Sequence, residues 1–246
     1  MATACVGVTA QTAAPTAPAA PTYANAQEAQ LHNDWAGLKR FQAADAALPA
    51  PAASQPRVVF MGDSITAGWG NHGDLSAYFP GKDYINRGIS GQTTPQMLVR
   101  FTQDVIDLHP QVVAILGGIN DIAENTGPMR IEDTEANIAA MSDLAHAHGI
   151  AVVLCSVMPA KAFPWHAGID PIPSVTAIDA WMQPYAAAHG DVYVDYYTAL
   201  TDGAGGMRAP LTRDGVHPTP AGYAVMTPLV QAGINTALAN TTATIK

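Results

Sequence analysis

Four short stretches hold residue types that could do covalent chemistry: Gly62-Asp63-Ser64-Ile65-Thr66, Asn86-Arg87-Gly88-Ile89-Ser90-Gly91, Gly117-Gly118-Ile119-Asn120-Asp121, and Asp214-Gly215-Val216-His217-Pro218. A serine hydroxyl is a weak nucleophile until a base stands within hydrogen-bond reach and donors face the oxyanion that forms on its target. Asp214 and His217 are three residues apart on one stretch, close enough for the carboxylate to hold one imidazole nitrogen and leave the other for Ser64. Pro218 restricts the backbone of His217 to extended geometry. The backbone N–H of Ser64, the backbone N–H of Gly88 and the side-chain amide of Asn120 are the candidate oxyanion donors. The chemistry such a set could do is acyl transfer.

These residues are far apart in sequence, so the fold must gather them. Short apolar runs read as strands at 58–61, 83–86, 112–116, 150–157 and 192–194, and three of them end next to the stretches above. Helical patterns fall between them at 64–70, 93–108, 131–148 and 174–188. Strands alternating with helices imply a parallel sheet with right-handed crossovers, and continuous apolar strands imply a sheet covered on both faces. In a sheet of order 2-1-3-4-5 the first strand lies between the second and third, so Ser64 would be flanked by Gly88 and Asn120 at the topological switch point. A last helix is expected from Thr219-Pro220, with Thr as its cap and Pro at its first position, and with a kink or restart at Pro228.

With these blocks in this order the chain resembles the SGNH (GDSL-type) hydrolases: Gly-Asp-Ser64, Gly88, Gly118-x-Asn120-Asp121 and Asp214-x-x-His217. The resemblance covers about residues 57–238. It departs in Ile119, where the family often has Thr. It implies a flavodoxin-like three-layer α/β/α sandwich with a five-stranded parallel sheet. It also implies metal-free ester hydrolysis with no organic cofactor, in which Ser64, Asp214 and His217 are catalytic and Ser64, Gly88 and Asn120 form the oxyanion hole. The expected substrate is a small, short-chain ester, acetyl above all, with an acetylated carbohydrate among the candidate alcohols. The rival reading is a non-catalytic module of the same fold that binds a flavin or a carbohydrate.

Composition narrows the field further. The 246 residues carry 11 Lys and Arg against 20 Asp and Glu, a formal net charge of −9, which argues against a nucleic-acid partner. No uncharged apolar run reaches 18 residues, so no transmembrane segment is expected. Residues 1–26 are rich in Ala, Thr and Pro and contain no Asp, Glu, Lys or Arg, as in a disordered leader or a signal remnant of a secreted or periplasmic protein. The stretch 27–56 reads as one helix over 27–47, anchored by Trp35 and Leu38, followed by a Pro-rich linker packed on the body. The hydrolase unit takes 57–238 and a tail 239–246.

Smaller signals point elsewhere. Cys5 and Cys155 are too few for a disulfide framework or a zinc site, and Cys155 reads as inert core. Gly68-Trp69-Gly70-Asn71-His72-Gly73 spells a dinucleotide fingerprint but does not follow a strand directly. His146 and His148 read as surface residues. Asp63 and Asp121 read as residues that order loops. Trp69, Phe163, Trp165 and His166 lie in loops on the Ser64 side and are candidates for the pocket wall.

Overall fold

The computed structural model describes residue 1 and residues 22–52, 54–70 and 73–244. Most of the leader, Cys5 and the centre of the 68–73 glycine run lie outside the described residues.

In chain order the elements are α1 (Ala26–Asn33), α2 (Gln42–Ala46), β1 (Arg57–Gly62), α3 (Ser64–Ala67), β2 (Asp83–Gly88), α4 (Thr94–Asp104), β3 (Val112–Leu116), α5 (Ile119–Ile122), α6 (Ile131–Ala147), β4 (Ala151–Cys155), α7 (Ile172–His189), β5 (Val192–Val194), α8 (Tyr196–Leu200) and α9 (Pro220–Thr244). The five strands form one sheet of order β2-β1-β3-β4-β5, every pair parallel. Helices cover both sides of it, as the right-handed crossover rule requires: α4, α6 and α7 form one row, and α9 lies against β3, β4 and β5. The expected α/β/α sandwich is therefore present. The centre of the sheet is covered on both faces, and every residue of β1 and β3 is buried. Gly233 lets α9 approach the sheet closely, since a Cβ there would come 2.5 Å from Val194.

Register is what positions the site. Gly62 pairs with Gly88 on one side and Leu116 on the other, so three strands end level and their following loops leave the same edge together. At Gly62 a side chain would overlap Thr66 and the Leu116 carbonyl, so α3 can start immediately beyond the strand only because the position is glycine.

Three local expectations are corrected. The 27–47 stretch is two short helices rather than one. Asp34 ends the first by accepting from the Leu38 and Lys39 N–H groups at 2.8 and 3.0 Å, and Gly37 follows at φ +70°. Trp35, expected as an anchor, is exposed, and Ala36 is buried instead. The last helix does not restart at Pro228, one of the two outcomes expected there; α9 runs through it and packs along the sheet.

The segment before β1 is tied to the body through its backbone. The Gln92, Gln96 and Gln103 side chains each donate to a carbonyl, of Ala36, Trp35 and Leu38 respectively, all at 2.6 Å. Arg57 donates to Pro49 O at 2.8 Å and to Asp83 at 3.0 Å. Arg87 pairs with Asp45. Among the described residues no helix is long and apolar enough to cross a membrane.

Candidate active site

Ser64 is the first residue of α3, so its N–H has no partner within the helix and faces outward at the N-terminus. Asp63 caps that helix by accepting from Ile65 N–H at 2.8 Å. The Ser64 hydroxyl lies 2.9 Å from His217 Nε2, and His217 Nδ1 lies 2.7 Å from Asp214 Oδ2. The other Asp214 oxygen accepts the N–H groups of Val216 and His217, at 3.0 and 2.8 Å. Thr212 closes this turn, donating to His217 O at 3.0 Å and accepting from Gly215 N–H at 2.9 Å. Gly215 sits at φ +92°, a conformation that favours glycine. Partial burial pushes the Asp214 carboxyl up, but the His217 amide, the His217 ring and the Val216 amide outweigh it and hold it below its ordinary range. It therefore stays ionised and fixes the proton on Nδ1, leaving Nε2 to accept.

The oxyanion side differs from expectation at one residue. Gly88 lines the cleft but is the last residue of β2, and its N–H donates to Asn86 Oδ1 at 2.9 Å. That donor is already used. Gly91, three residues on, also lines the cleft, and its N–H has no hydrogen-bond partner among the described residues. The sequence offers two glycines three apart, and only the pairing of Gly88 with Gly62 shows which one belongs to the strand.

Asn120 is buried at the start of α5 and lines the same cleft as Ser64. Its Nδ2 donates to Gln92 O at 3.0 Å, which leaves one N–H for a ligand. Its Oδ1 accepts from Asn125 Nδ2 at 2.9 Å, which fixes the orientation of the amide. Asn125 went unnoticed in the sequence. Its Nδ2 also donates to Gly91 O at 3.0 Å, and its Oδ1 accepts from the Trp165 indole at 3.0 Å. The Trp165 ring lies 5.7 Å from the His217 ring. One side chain thus links Asn120, Gly91 and the wall beside His217. No local pattern could show it, because Gly91 and Trp165 lie 34 and 40 residues away in the chain.

Of the four aromatic and histidine candidates for the wall, only Trp165 lines the cleft. Trp69 is buried among Phe60, Phe79 and Tyr223, and Phe163 is buried as well. His166 is turned to the Ala123 carbonyl, with Nδ1 2.7 Å away. His146 contacts Asp191 at 2.7 Å. Burial pushes the Cys155 thiol up to about 12, so it is inert.

Asp63 and Asp121 lie behind the site. Burial raises both, with Asp63 brought to about 7, and the Asp121 charge adds to the rise at Asp63. Asp121 accepts from the Thr94 N–H at 3.0 Å, from the Thr94 hydroxyl, and from Thr134 Oγ1 at 3.3 Å. Asp63 Oδ2 is buried without a partner.

The cleft in front of Ser64 has a volume of about 1090 Å³. Charged, amide and glycine residues make up most of its wall, with Phe41 and Trp165 as the aromatic surfaces. A hydroxyl, an imidazole and a carboxylate in hydrogen-bonded series, with amide donors beside the hydroxyl, can carry out acyl transfer. On a flavodoxin-like α/β/α fold, that arrangement points to the class of acylhydrolases.

Known proteins agree with this. Residues 60–225 match the GDSL-like Lipase/Acylhydrolase family, and the chain belongs to that family. Esterase TesA of Pseudomonas aeruginosa is 27% identical over 177 residues, 68% of this chain and 81% of that protein. A GDSL-like lipase structure from Bacteroides thetaiotaomicron is 42% identical, with TM-score 0.78, over 83% of this chain and 100% of that one. A variant of an acetyl-xylooligosaccharide esterase from Geobacillus shares the fold, with TM-score 0.59 at 22% identity over 73% of this chain and 94% of that one.

Proposed function

We propose that this acylhydrolase is a serine esterase that cleaves short-chain carboxylic esters, acetyl esters above all, through an acyl-enzyme. The observation that carries the reading is the unbroken series from Ser64 Oγ to His217 Nε2 at 2.9 Å and from Nδ1 to Asp214 at 2.7 Å, opening on a cleft. His217 Nε2 takes the proton as Ser64 Oγ attacks the ester carbonyl. Asp214 holds the imidazolium that forms. The oxyanion is received by Asn120 Nδ2 and by the N–H groups of Ser64 and Gly91, with Gly91 in the place expected for Gly88. His217 then protonates the departing alcohol, and water, activated by the same nitrogen, releases the acid.

Short acyl groups are favoured by what lines the cleft. A long hydrocarbon chain needs a continuous apolar wall to leave water, and a wall in which arginines, aspartates, asparagines and glycines separate Phe41 from Trp165 does not offer one. The test is a series of para-nitrophenyl esters of increasing acyl length, read on the wild type, Ser64→Ala and Asn120→Ala. Activity should fall as the acyl chain lengthens. Ser64→Ala should lose essentially all of it. Asn120→Ala should lose about 10²–10³-fold in kcat with KM little changed, since an oxyanion donor acts only as charge develops. A Ser64→Ala protein that keeps a tenth or more of its rate, or a purely KM effect at Asn120, would overturn the mechanism.

A further inference from the structure

Part of the cleft wall comes from outside the family-matched residues 60–225. The strap between α1 and the end of α2 brings Arg40, Phe41 and Ala44 to the same cleft as Ser64. It is held in place by the three glutamine side chains that grip its carbonyls and by the Arg87–Asp45 pair. Two guanidiniums approach the Phe41 ring: that of Arg87 lies 4.6 Å from its centre and that of Arg40 5.9 Å. Arg213, next to Asp214, lines the cleft as well.

Three of the 11 Lys and Arg residues of a chain with net charge −9 thus converge on one cleft. Arg87 is neutralised by Asp45. Arg40 and Arg213 make no ion pair among the described residues. Of the acids that line the cleft, Asp214 is committed to His217 and to two backbone amides, and Asp74 caps the turn at Ser76 through a 2.9 Å bond. Two residues that line the cleft of the nucleophile thus carry guanidiniums outside any ion pair among the described residues, each a planar fork that matches a carboxylate.

We infer that the cleft selects esters whose alcohol carries a carboxylate, such as an acylated sugar acid, with Arg40 and Arg213 as the recognition groups and Phe41 as the surface beneath the ring. This rests on the esterase reading above. The anion belongs on the alcohol because a short acyl group fills little of a 1090 Å³ cleft, so the larger half of the substrate must occupy the part the arginines reach. The strap is then a specificity element added to a common catalytic body.

The test uses three acetyl or acyl phenyl esters with the full chain: para-acetoxybenzoate, its neutral methyl ester, and mono-phenyl succinate, which carries the anion on the acyl side. Wild type, Arg40→Gln, Arg213→Gln and the double variant are compared by the ratio of kcat/KM for each anionic ester to that for the neutral one. Taking ratios between proteins cancels the intrinsic reactivity of each ester. Each single variant should lower the ratio for para-acetoxybenzoate by about fivefold to tenfold, the double variant by more, and added salt should shrink the difference. The succinate ratio should move far less. Ratios unchanged by the substitutions, or a loss confined to mono-phenyl succinate, would overturn the assignment while leaving the esterase reading intact. A wild type inert toward all three esters would overturn the esterase reading and this one with it.

Discussion

Asp63 precedes the nucleophile, and its carboxyl is one that folding should protonate. Burial lifts it from 3.8 to about 7, against the pull of the Ile65 amide, with the Asp121 charge adding to the rise. Between those values the native chain holds a proton that the unfolded chain has released, so stability falls as pH rises across that window. A shift of about three units corresponds to about 4 kcal/mol, fully lost above the folded-state value. Asp63→Asn removes the titration and keeps an oxygen for the Ile65 N–H that starts α3. Its amide nitrogen takes the place of the unpartnered Oδ2, so it gains no new bond and pays the same kind of cost as the neutral acid. The variant and the wild type should then match within about 1 kcal/mol near pH 4. At pH 8 the variant should be the more stable by about 3–4 kcal/mol, as an upper bound. Urea unfolding followed by circular dichroism at a series of pH values reads the difference directly, and the buried Asp179 carboxyl, which does not interact with Asp63, cancels because both proteins share it. A difference that does not change between pH 4 and 8, or a variant less stable at pH 8, would refute the reasoning.

Two further outcomes follow from named contacts. Asn125→Ala frees the Asn120 amide and the Gly91 loop together; kcat should fall by about 10–10²-fold with KM held within about twofold, the sign of misplaced donors rather than lost binding. Equal losses in both parameters would make Asn125 a folding residue only. Arg100 is wholly buried and bonds Asp104 at 2.9 Å, Gln92 at 2.5 Å and the Gly62 carbonyl at 2.9 Å, while burial drives both partners of the ion pair toward neutrality. Arg100→Met should destabilise the protein by about 3–5 kcal/mol, and Asp104→Leu added to it should recover much of the loss, as read by urea unfolding. A small single-variant loss would show that the pair is not desolvated as its burial implies.

The central strands β1 and β3 were legible because they are apolar runs that stop at glycine or just before it. Val58–Met61 stops at Gly62, and Val112–Leu116 stops at Gly117-Gly118. Those stops also marked where Ser64 and Asn120 emerge. What stayed hidden was set by contacts between distant residues. The strap is broken by Asp34 folding back on Leu38 and Lys39, and its exposed Trp35 and buried Ala36 invert the usual ranking of apolar residues. α5 and α8 are four and five residues long, too short for a helical period to show. β2 runs on past Asn86 through Arg87 to Gly88, with Asn86 and Arg87 held by side-chain bonds to Thr66 O and Asp45. That extra length is what puts Gly88 inside the ladder and moves the free amide to Gly91.

The central claim is that Ser64 is a nucleophile primed by His217. A fluorophosphonate reports this most directly, because it forms a stable bond only with a serine oxygen that is already activated. Mass spectrometry of the treated protein should show one added group, on the peptide that contains Ser64, absent from Ser64→Ala and strongly reduced in His217→Ala. Labelling that persists in Ser64→Ala, or a wild type that hydrolyses esters while Ser64 stays unmodified, would contradict the account.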